Sequence, residues 1–325
     1  MYASLSGETW TTEVVGPSAG TNTMSLAFDL DNNPVISYSD GVYYGNLMVA
    51  HKRDGAWFSN AVAKGTGGYD GRHSSLGFDP QGVLHVAYTD GKYPASLYYA
   101  TLNQSSEAWE VSKVDSWCYL GGTATYPALK IDAELKIDAA GKPHVLYLYR
   151  EMSEDWVMYT TSGDGGTTWT VIAVEGAKTA GHAGGGHALA LDHQGFSHMV
   201  YYNQTGAALE YASLNGTAWK TEMLYVWSTA IDDSARNEAL SSGEIRASII
   251  MDALDIPHII FSDPFYKVLR YATIDPESKE WTIHVVDDDG DIGTTSSIAL
   301  DKAGNPAIAY YDNSVHKLLV AHWGL

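Results

Sequence analysis

Apolar and polar residues alternate over short runs along almost the whole chain, and turns rich in Asp, Gly, Asn and Pro separate the runs. A period of two marks a strand half buried in a sheet, because successive side chains point to opposite faces. No apolar stripe at helical spacing persists for a useful length. One pattern recurs six times: a small residue, Leu or Ile, any residue, an apolar residue, Asp, a short turn with Gly or Asn, often Pro-His, then an alternating run usually ending Tyr-x-Asp. Copy one reads Ser25-Leu26-Ala27-Phe28-Asp29, then Asn33-Pro34-Val35-Ile36-Ser37-Tyr38-Ser39-Asp40. The other copies run from Ser75 to Asp90, Glu134 to Arg150, Ala188 to Asn203, Ser248 to Asp263 and Ser297 to Asp312. The Asp ending each first strand falls at 29, 79, 138, 192, 252 and 301, so the spacings are 50, 59, 54, 60 and 49.

Each copy continues into a third run, such as Ser96-Leu97-Tyr98-Tyr99-Ala100, and a turn leads to a Trp opening a fourth. These are Trp57, Trp109, Trp169, Trp219 and Trp281, with Trp10 near the start. Four strands per 49–60 residues, six times over, predict an all-β, six-bladed β-propeller of four-stranded antiparallel blades. The expectation is one domain over residues 1–325, since repeats escape the size limit of a single core. The sixth copy stops after Leu318-Leu319-Val320-Ala321-His322. The N-terminus begins in mid-repeat, so it is expected to close the ring by pairing with the last blade and hiding its edge. Met1 to Ser4 then reads as a spare third strand. Leu129-Lys130-Ile131-Asp132 is echoed by Leu135-Lys136-Ile137-Asp138, and the second echo is in register with the repeat.

Charge narrows the function. There are 39 acidic and 19 basic residues, for a net charge of −20. Such a field repels nucleic acid and anionic membrane surfaces. The lone Cys118 rules out an internal disulfide and a zinc site of paired cysteines. No apolar run is long enough for a helical membrane span, and Met1-Tyr2-Ala3-Ser4 does not open a signal peptide. A soluble protein is expected, and a trimmed start leaves a secreted or periplasmic location open. The run Asp287-Asp288-Asp289-Gly290-Asp291 has donors for Ca²⁺ but lacks the twelve-residue EF-hand loop, and a solvated acidic turn is the plainer reading. No cofactor and no metal ligand set is expected.

The turn Ser162-Gly163-Asp164-Gly165-Gly166-Thr167-Thr168-Trp169 matches the Asp-box, Ser-x-Asp-x-Gly-x-Thr-Trp. It resembles the repeat of the sialidase superfamily, whose members are often six-bladed propellers. Degenerate forms recur at Asp54-Gly55-Ala56-Trp57 and Asn215-Gly216-Thr217-Ala218-Trp219. The box marks a fold: its Ser and Asp tie down a rim turn and its Trp packs between sheets. Sialidases open their site with Arg, an apolar residue and Pro, whereas Gly20-Thr21-Asn22-Thr23-Met24 carries no Arg. A fold does not fix a function.

In a propeller, the loops before each first strand and after each second strand share one face around the axial pocket. Here the scaffold repeats and those loops do not, which favours one central ligand site over one site per blade. Arg72, Arg150 and Arg246 fall at pocket-side positions, among only six Arg in the chain. Guanidinium forks bind a carboxylate bidentately, although each could instead pair with a nearby strand-end Asp. His73 and His187 flank first strands, His182 lies in a Gly-rich loop, and Tyr126 and Tyr69 stand near. Imidazole and phenol groups there can exchange protons with a substrate. His85, His144, His198 and His258 recur at one strand-start position and read as structural. Glu244 is a carboxylate candidate for acid–base work, and Asp90 ends a second strand facing the pocket.

The reading is an enzyme with a single axial pocket acting on an acidic saccharide, as a lyase or glycoside hydrolase. His73, His187, Tyr126 and Glu244 would be catalytic. Arg72, Arg150, Arg246, Tyr69, Asp90 and His182 would bind substrate. The alternative is a non-catalytic carbohydrate-binding or protein-binding propeller, with aromatic grooves at residues such as Tyr43, Tyr44, Tyr93 and Tyr266.

Overall fold

The computed structural model describes residues 1–6, 9–17, 24–41, 45–63, 70–90, 96–116, 133–151, 154–180, 186–203, 208–227, 246–263 and 265–323. Strands are the only regular elements among them. A hairpin of β1 (Tyr2–Ser6) and β2 (Thr9–Glu13) comes first. Six antiparallel sheets follow, one per copy of the repeat. Blade one is β3 (Ser25–Phe28), β4 (Pro34–Ser39), β5 (Leu47–Arg53) and β6 (Ala56–Ala63). Blade two is β7 (Asp70–Phe78), β8 (Leu84–Asp90), β9 (Ser96–Asn103) and β10 (Ala108–Ser116). Blade three is β11 (Ala133–Ile137), β12 (Pro143–Glu151), β13 (Glu154–Thr161) and β14 (Thr170–Ala180). Blade four is β15 (Ala188–Leu191), β16 (Ser197–Asn203), β17 (Ala208–Asn215) and β18 (Ala218–Val226). Blade five is β19 (Ala247–Met251), β20 (Pro257–Asp263), β21 (Val268–Ile274) and β22 (Trp281–Asp287). Blade six has three strands, β23 (Ile292–Leu300), β24 (Pro306–Asp312) and β25 (Lys317–His322). No helix among the described residues is long and apolar enough to cross a membrane.

The chain divides into two compact units. One comprises Met1–Tyr119, Asp132–Pro143 and Thr161–Thr170, the other Leu120–Ile131, His144–Thr160 and Val171–Leu325. In the first, Leu47 and Val49 of β5 pack with Leu76 of β7 and Val86 of β8. The backbone N–H of Leu76 donates to Ser25 Oγ at 3.2 Å, and that of Leu135 to Ser75 Oγ at 3.1 Å, stitching inner strand to inner strand. In the second, Leu209 and Tyr211 of β17 pack with Ile249 of β19 and Ile259 of β20. The rule is the same in both: third-strand residues cover the first strands of the next blade.

Two features make the repeat. The first-strand Asp clamps its own turn in every blade. Asp79 Oδ1 accepts the N–H of Gln81 at 2.9 Å and of Val83 at 2.7 Å, and Asp252 Oδ1 accepts those of Leu254 and Ile256, both at 2.8 Å. Asp29, Asp138, Asp192 and Asp301 do likewise. A carboxylate taking two N–H bonds satisfies a turn that no ladder reaches. The second feature is a polar relay through the blade. His85 Nδ1 bonds Tyr99 Oη, and His144, His198 and His258 bond Tyr159, Tyr211 and Tyr271, each at 2.5 Å. The Nε2 atoms of His85, His198 and His258 lie 3.4, 3.3 and 3.6 Å from the clamping Asp. Those four histidines are therefore structural, as the repeat implied. The Tyr rings then meet Trp169, Trp219, Trp281 and Trp323 at centroid distances of 4.9–5.8 Å. The first three are edge-to-face, the arrangement the ring quadrupole favours.

The expected closure by the N-terminus does not form, and blade six is not four-stranded. β1 and β2 pair with each other from Tyr2↔Glu13 to Ser6↔Thr9, and no sheet of the described residues joins either to β25. The reason lies in a second match along the chain. Tyr2-Ala3-Ser4-Leu5, followed by Gly7 and Trp10, repeats Tyr211-Ala212-Ser213-Leu214, followed by Gly216 and Trp219. That stretch of blade four is a third strand, a turn and a fourth strand. The N-terminus thus carries both partners of a hairpin and satisfies its own ladder. It sits on blade one as an outer half-blade. Tyr2 meets Trp57 edge-on at 5.3 Å, and Glu13 accepts from Trp57 Nε1 at 2.9 Å and from Lys52 Nζ. Glu222 accepts from Trp281 Nε1 in the same way at 3.2 Å. As a consequence, Leu26 stays 50% exposed, whereas its counterparts Leu76, Leu135, Leu189, Ile249 and Ile298 are buried. Leu318 is 72% exposed, against buried Leu47, Leu97, Leu209 and Leu269.

Acid should weaken this scaffold in two stages. Burial holds the His85 and His258 imidazoles below their ordinary range, with the facing Asp only partly offsetting it. The unfolded chain protonates these groups near pH 6.5 and the fold resists. Stability should be full above that value and fall as pH drops below it. The turn carboxylates Asp164, Asp275 and Asp301 are held low by their hydrogen bonds, so their contribution should be lost only below about pH 4. Urea midpoints measured from pH 8 to pH 3 should show both steps, and a flat profile between pH 7 and pH 5 would refute the first.

Candidate functional site

The Asp-box is built as a clamp. Ser162 Oγ donates to Asp164 Oδ1 at 2.8 Å and accepts the Gly166 N–H at 2.8 Å. Asp164 also takes the Thr168 N–H at 2.8 Å and the Thr168 hydroxyl at 2.7 Å. Those bonds, the Thr168 hydroxyl foremost, pull its carboxyl down to about 2. Gly166 has φ +99°, and a Cβ there would lie 2.3 Å from Tyr99, so only glycine fits. Trp169 packs on Tyr99, which makes the box a packing device, as its sequence implied.

The second-strand Asp residues have a shared task too. Asp40 Oδ1 accepts the Asn46 N–H at 2.6 Å, and Asp90 Oδ1 accepts the Ser96 N–H at 2.6 Å. Asp312 accepts the Ser314 N–H at 2.8 Å. Asp263 Oδ1 takes the N–H groups of Phe265 and Tyr266, each at 3.3 Å. Each carboxylate closes the turn into the third strand. In the candidate set, Asp90 is thus buried with one oxygen occupied by its own blade.

Two blades elaborate this position. In blade five, Asp263 Oδ2 also receives Arg270 Nε at 3.0 Å and the Tyr225 hydroxyl at 3.0 Å. Burial first, then the Asp263 charge, pushes the Tyr225 hydroxyl up to about 12. In blade four, Asn203 replaces Asp and Glu210 replaces Arg. Asn203 Nδ2 donates to Glu210 Oε1 at 2.6 Å, and the Tyr201 hydroxyl donates to Oε2 at 2.6 Å. An Asp at 203 would set two carboxylates face to face, so the break in the Asp rule follows from Glu210.

The remaining candidates divide as follows. His73 is buried in β7 opposite Thr89, where the register shifts between Asp70 and His73, and Asp70 stands opposite Asp90. The fold thus brings His73 and Asp90 to one strand end of blade two. His187 is half-buried just before β15. Arg246 precedes β19, and its N–H donates to Ser262 Oγ at 2.8 Å while its carbonyl accepts the Ser262 N–H at 2.9 Å. That places Arg246 beside the end of β20, where Asp263 lies. Arg72 and Arg150 lie within β7 and β12. Tyr69, Tyr126, His182 and Glu244 fall outside the described residues, as do the first echo at 129–132 and the aromatic candidates Tyr43, Tyr44 and Tyr93. Among the described residues, no three His, Cys, Asp or Glu are grouped to hold a metal ion. In the acidic run, Asp287 accepts the Asp289 N–H at 3.0 Å and the Tyr310 hydroxyl at 2.7 Å, so it is engaged in turn and blade. Sequence reasoning passed over Arg270. The signal was available, since the equivalent third-strand residues are Met48, Tyr98, Met158, Glu210 and Leu319.

Comparison with solved structures settles the architecture. A protein of unknown function from Dyadobacter fermentans matches with TM-score 0.58 at 12% identity, over 95% of this chain and 96% of that one. The chain is a six-bladed β-propeller. An ulvan lyase of polysaccharide lyase family PL25, solved with -[GlcA(1-4)Rha3S]- bound, matches this propeller with TM-score 0.58 at 14% identity, over 95% and 83% of the two chains. The NanB sialidase of Streptococcus pneumoniae matches with TM-score 0.51 at 11% identity, over 92% of this chain and 66% of that one. The Aleuria aurantia lectin, solved in complex with Fucalpha1-6GlcNAc, matches with TM-score 0.52 at 11% identity, over 92% and 94% of the two chains. The relation to sialidase, lyase and lectin propellers is therefore distant and one of fold. No family model and no curated protein matches the chain.

The Asp263 node should be the most costly of these turns to break. Asp263→Ala leaves Arg270 and Tyr225 without their acceptor in a buried setting, at a cost of about 3 kcal/mol. Asp40→Ala, which removes only the bonds to Asn46 at a half-buried position, should cost about 1 kcal/mol. Urea unfolding of the two variants checks the ranking, and equal losses would refute it.

Proposed function

We propose that this propeller is an enzyme with one ligand site that cleaves an acidic saccharide by elimination. The observation that carries the reading is the contrast between two sets of histidines. Four occupy one repeated position and are tied to a Tyr of their own blade. His73 and His187 lie outside that register, at the starts of first strands, where the repeat stops being a repeat. A repeated scaffold position accounts for the first set, and the second set occupies no repeated histidine position.

In the proposed reaction Arg246, with Arg72 and Arg150, holds the uronate carboxylate and stabilises charge as the proton beside it leaves. A neutral His73 or His187 takes that proton. The bond to the leaving glycosidic oxygen breaks, a double bond forms in the ring, and Tyr126 or the second His protonates the oxygen. Tyr69, His182 and Asp90 would contact the sugar. Glu244 would serve as the carboxylate if the reaction were hydrolysis. The fold shared with a lyase acting on a glucuronate-containing polymer supports the substrate class.

Uronate polysaccharides and sialosides, assayed for new reducing ends and for absorbance of unsaturated product, test this. Both signals should rise together on a uronate polymer. His73→Ala and His187→Ala should each lower kcat by about 10²–10⁴-fold, and Arg246→Ala should abolish binding of acidic sugars with the fold intact. Reducing ends without absorbance would mean hydrolysis. Saturable binding without turnover would make the protein a lectin.

A further inference from the structure

Arg270 makes a bond pattern that leaves half of it unused. Its Nε is tied to Asp263, and its guanidinium carbon lies 4.9 Å from the centroid of the Tyr225 ring. Tyr225 is fixed in turn, edge-on to Trp227 at 5.4 Å and against Phe261 at 5.3 Å. One bond and one ring face hold the guanidinium plane in place. Asp263 has no capacity left, being fully buried and accepting from Arg270, Tyr225, Phe265 and Tyr266. Arg270 differs. Its side chain is 17% exposed, and neither Nη1 nor Nη2 makes a hydrogen bond among the described residues or is sealed from solvent. Two parallel N–H donors on a pre-oriented plane are the complement of a carboxylate or sulfate.

An exposed aromatic residue is anchored on the same carboxylate as this fork. Tyr266 is 54% exposed, and its backbone N–H is anchored on Asp263. An exposed ring and a fixed cation that share one carboxylate offer a sugar both a stacking face and an anion grip. The location fits as well: Arg246 is bonded through its backbone to Ser262, the residue before Asp263. Blade five thus brings an Arg at the start of its first strand to the strand end that carries the Asp263–Arg270 pair. A net charge of −20 repels polyanions at long range, so any acidic ligand must be held by local cations of this kind.

We propose that Arg270 and Tyr266 form a binding subsite for an acidic saccharide, with Arg270 Nη1 and Nη2 gripping a carboxylate or sulfate and Tyr266 stacking on the sugar ring beside it. This rests on the acidic-saccharide reading above and adds a subsite to it at blade five.

Calorimetric titration tests it with three probes: a uronate oligosaccharide, its carboxyl-reduced neutral form, and a sulfated oligosaccharide without uronate. The proteins are wild type, Arg270→Lys and Tyr266→Ala. Lys keeps the charge facing Asp263 and loses the fork. The result expected is a tenfold or greater loss of affinity in each variant for an acidic probe, little binding of the neutral one, and an unchanged Tm for Tyr266→Ala. If Arg270→Lys fails to fold, Tyr266→Ala decides alone. A loss confined to the sulfated probe would support the subsite and assign it to sulfate. Wild-type affinity in both variants would overturn the subsite while the acidic-saccharide reading stands. Equal loss on the neutral probe would overturn the anion grip. Wild type that binds no acidic probe would overturn both readings.

Discussion

An aspartate at the end of each first strand takes two backbone N–H groups of the following turn, and the repeat is organised around that bond. The hairpins of the inner strands are too tight to satisfy those donors within the ladder, so the carboxylate does it. The same Asp then faces an imidazole in three blades, the imidazole bonds a tyrosine, and the tyrosine ring meets a tryptophan one blade on. A polar group buried this deeply costs free energy unless it is paired. The imidazole–tyrosine link is hydrogen-bonded in each of these blades, whereas the Asp–imidazole link is a hydrogen bond in blade four and a contact of 3.4 and 3.6 Å in blades two and five. The relay spans a blade from inner turn to outer strand and ends in a ring contact that fixes the neighbour's position.

That logic also explains what the terminal blades lack. An interior blade buries its first-strand Leu under the third strand of its predecessor, a gain of about 1.5–3 kcal/mol for each such side chain. Blade one receives only the hairpin β1–β2, which covers Trp57 through Tyr2 and Glu13 but does not reach Leu26. Blade six has no successor strand of its own, and Leu318 stays open. The half-blade keeps the outer contacts of the repeat and forgoes the inner ones.

The blade grammar was readable from the chain because period-two alternation, the turn Asp and the strand-four Trp each have one local cause. The Asp-box and the four scaffold histidines were legible for the same reason: a residue that recurs at one position answers to the scaffold. Strand partners at the ends were not legible by that means. Pairing is a competition, and a segment holding both strands of a hairpin closes locally before a distant edge can claim it. Only the match of Tyr2–Trp10 to Tyr211–Trp219 announces this, and it appears when the chain is compared with itself rather than with a template. For the candidate site, sequence located His73, Arg246 and Asp90 at strand ends. It could not supply the partner of each, because a partner across a sheet is set by register.

Blades four and five show why departures from a repeat carry more information than its consensus. Both place a charged side chain at the same third-strand position, Glu210 in one and Arg270 in the other. The strand-end residue facing it matches the charge: Asn203 breaks the Asp rule before Glu210, and Asp263 keeps it before Arg270. In blade four the exchange is closed, since Glu210 is bonded through both oxygens to its own blade. In blade five it is open: Asp263 consumes one edge of the guanidinium and leaves the other. A scaffold that needed only to neutralise Asp263 could have done so with a single donor, as Tyr225 does. A five-donor fork held over a ring, with its outer nitrogens unspent, is more than neutralisation requires. The surplus is what a ligand with a planar anionic group would use.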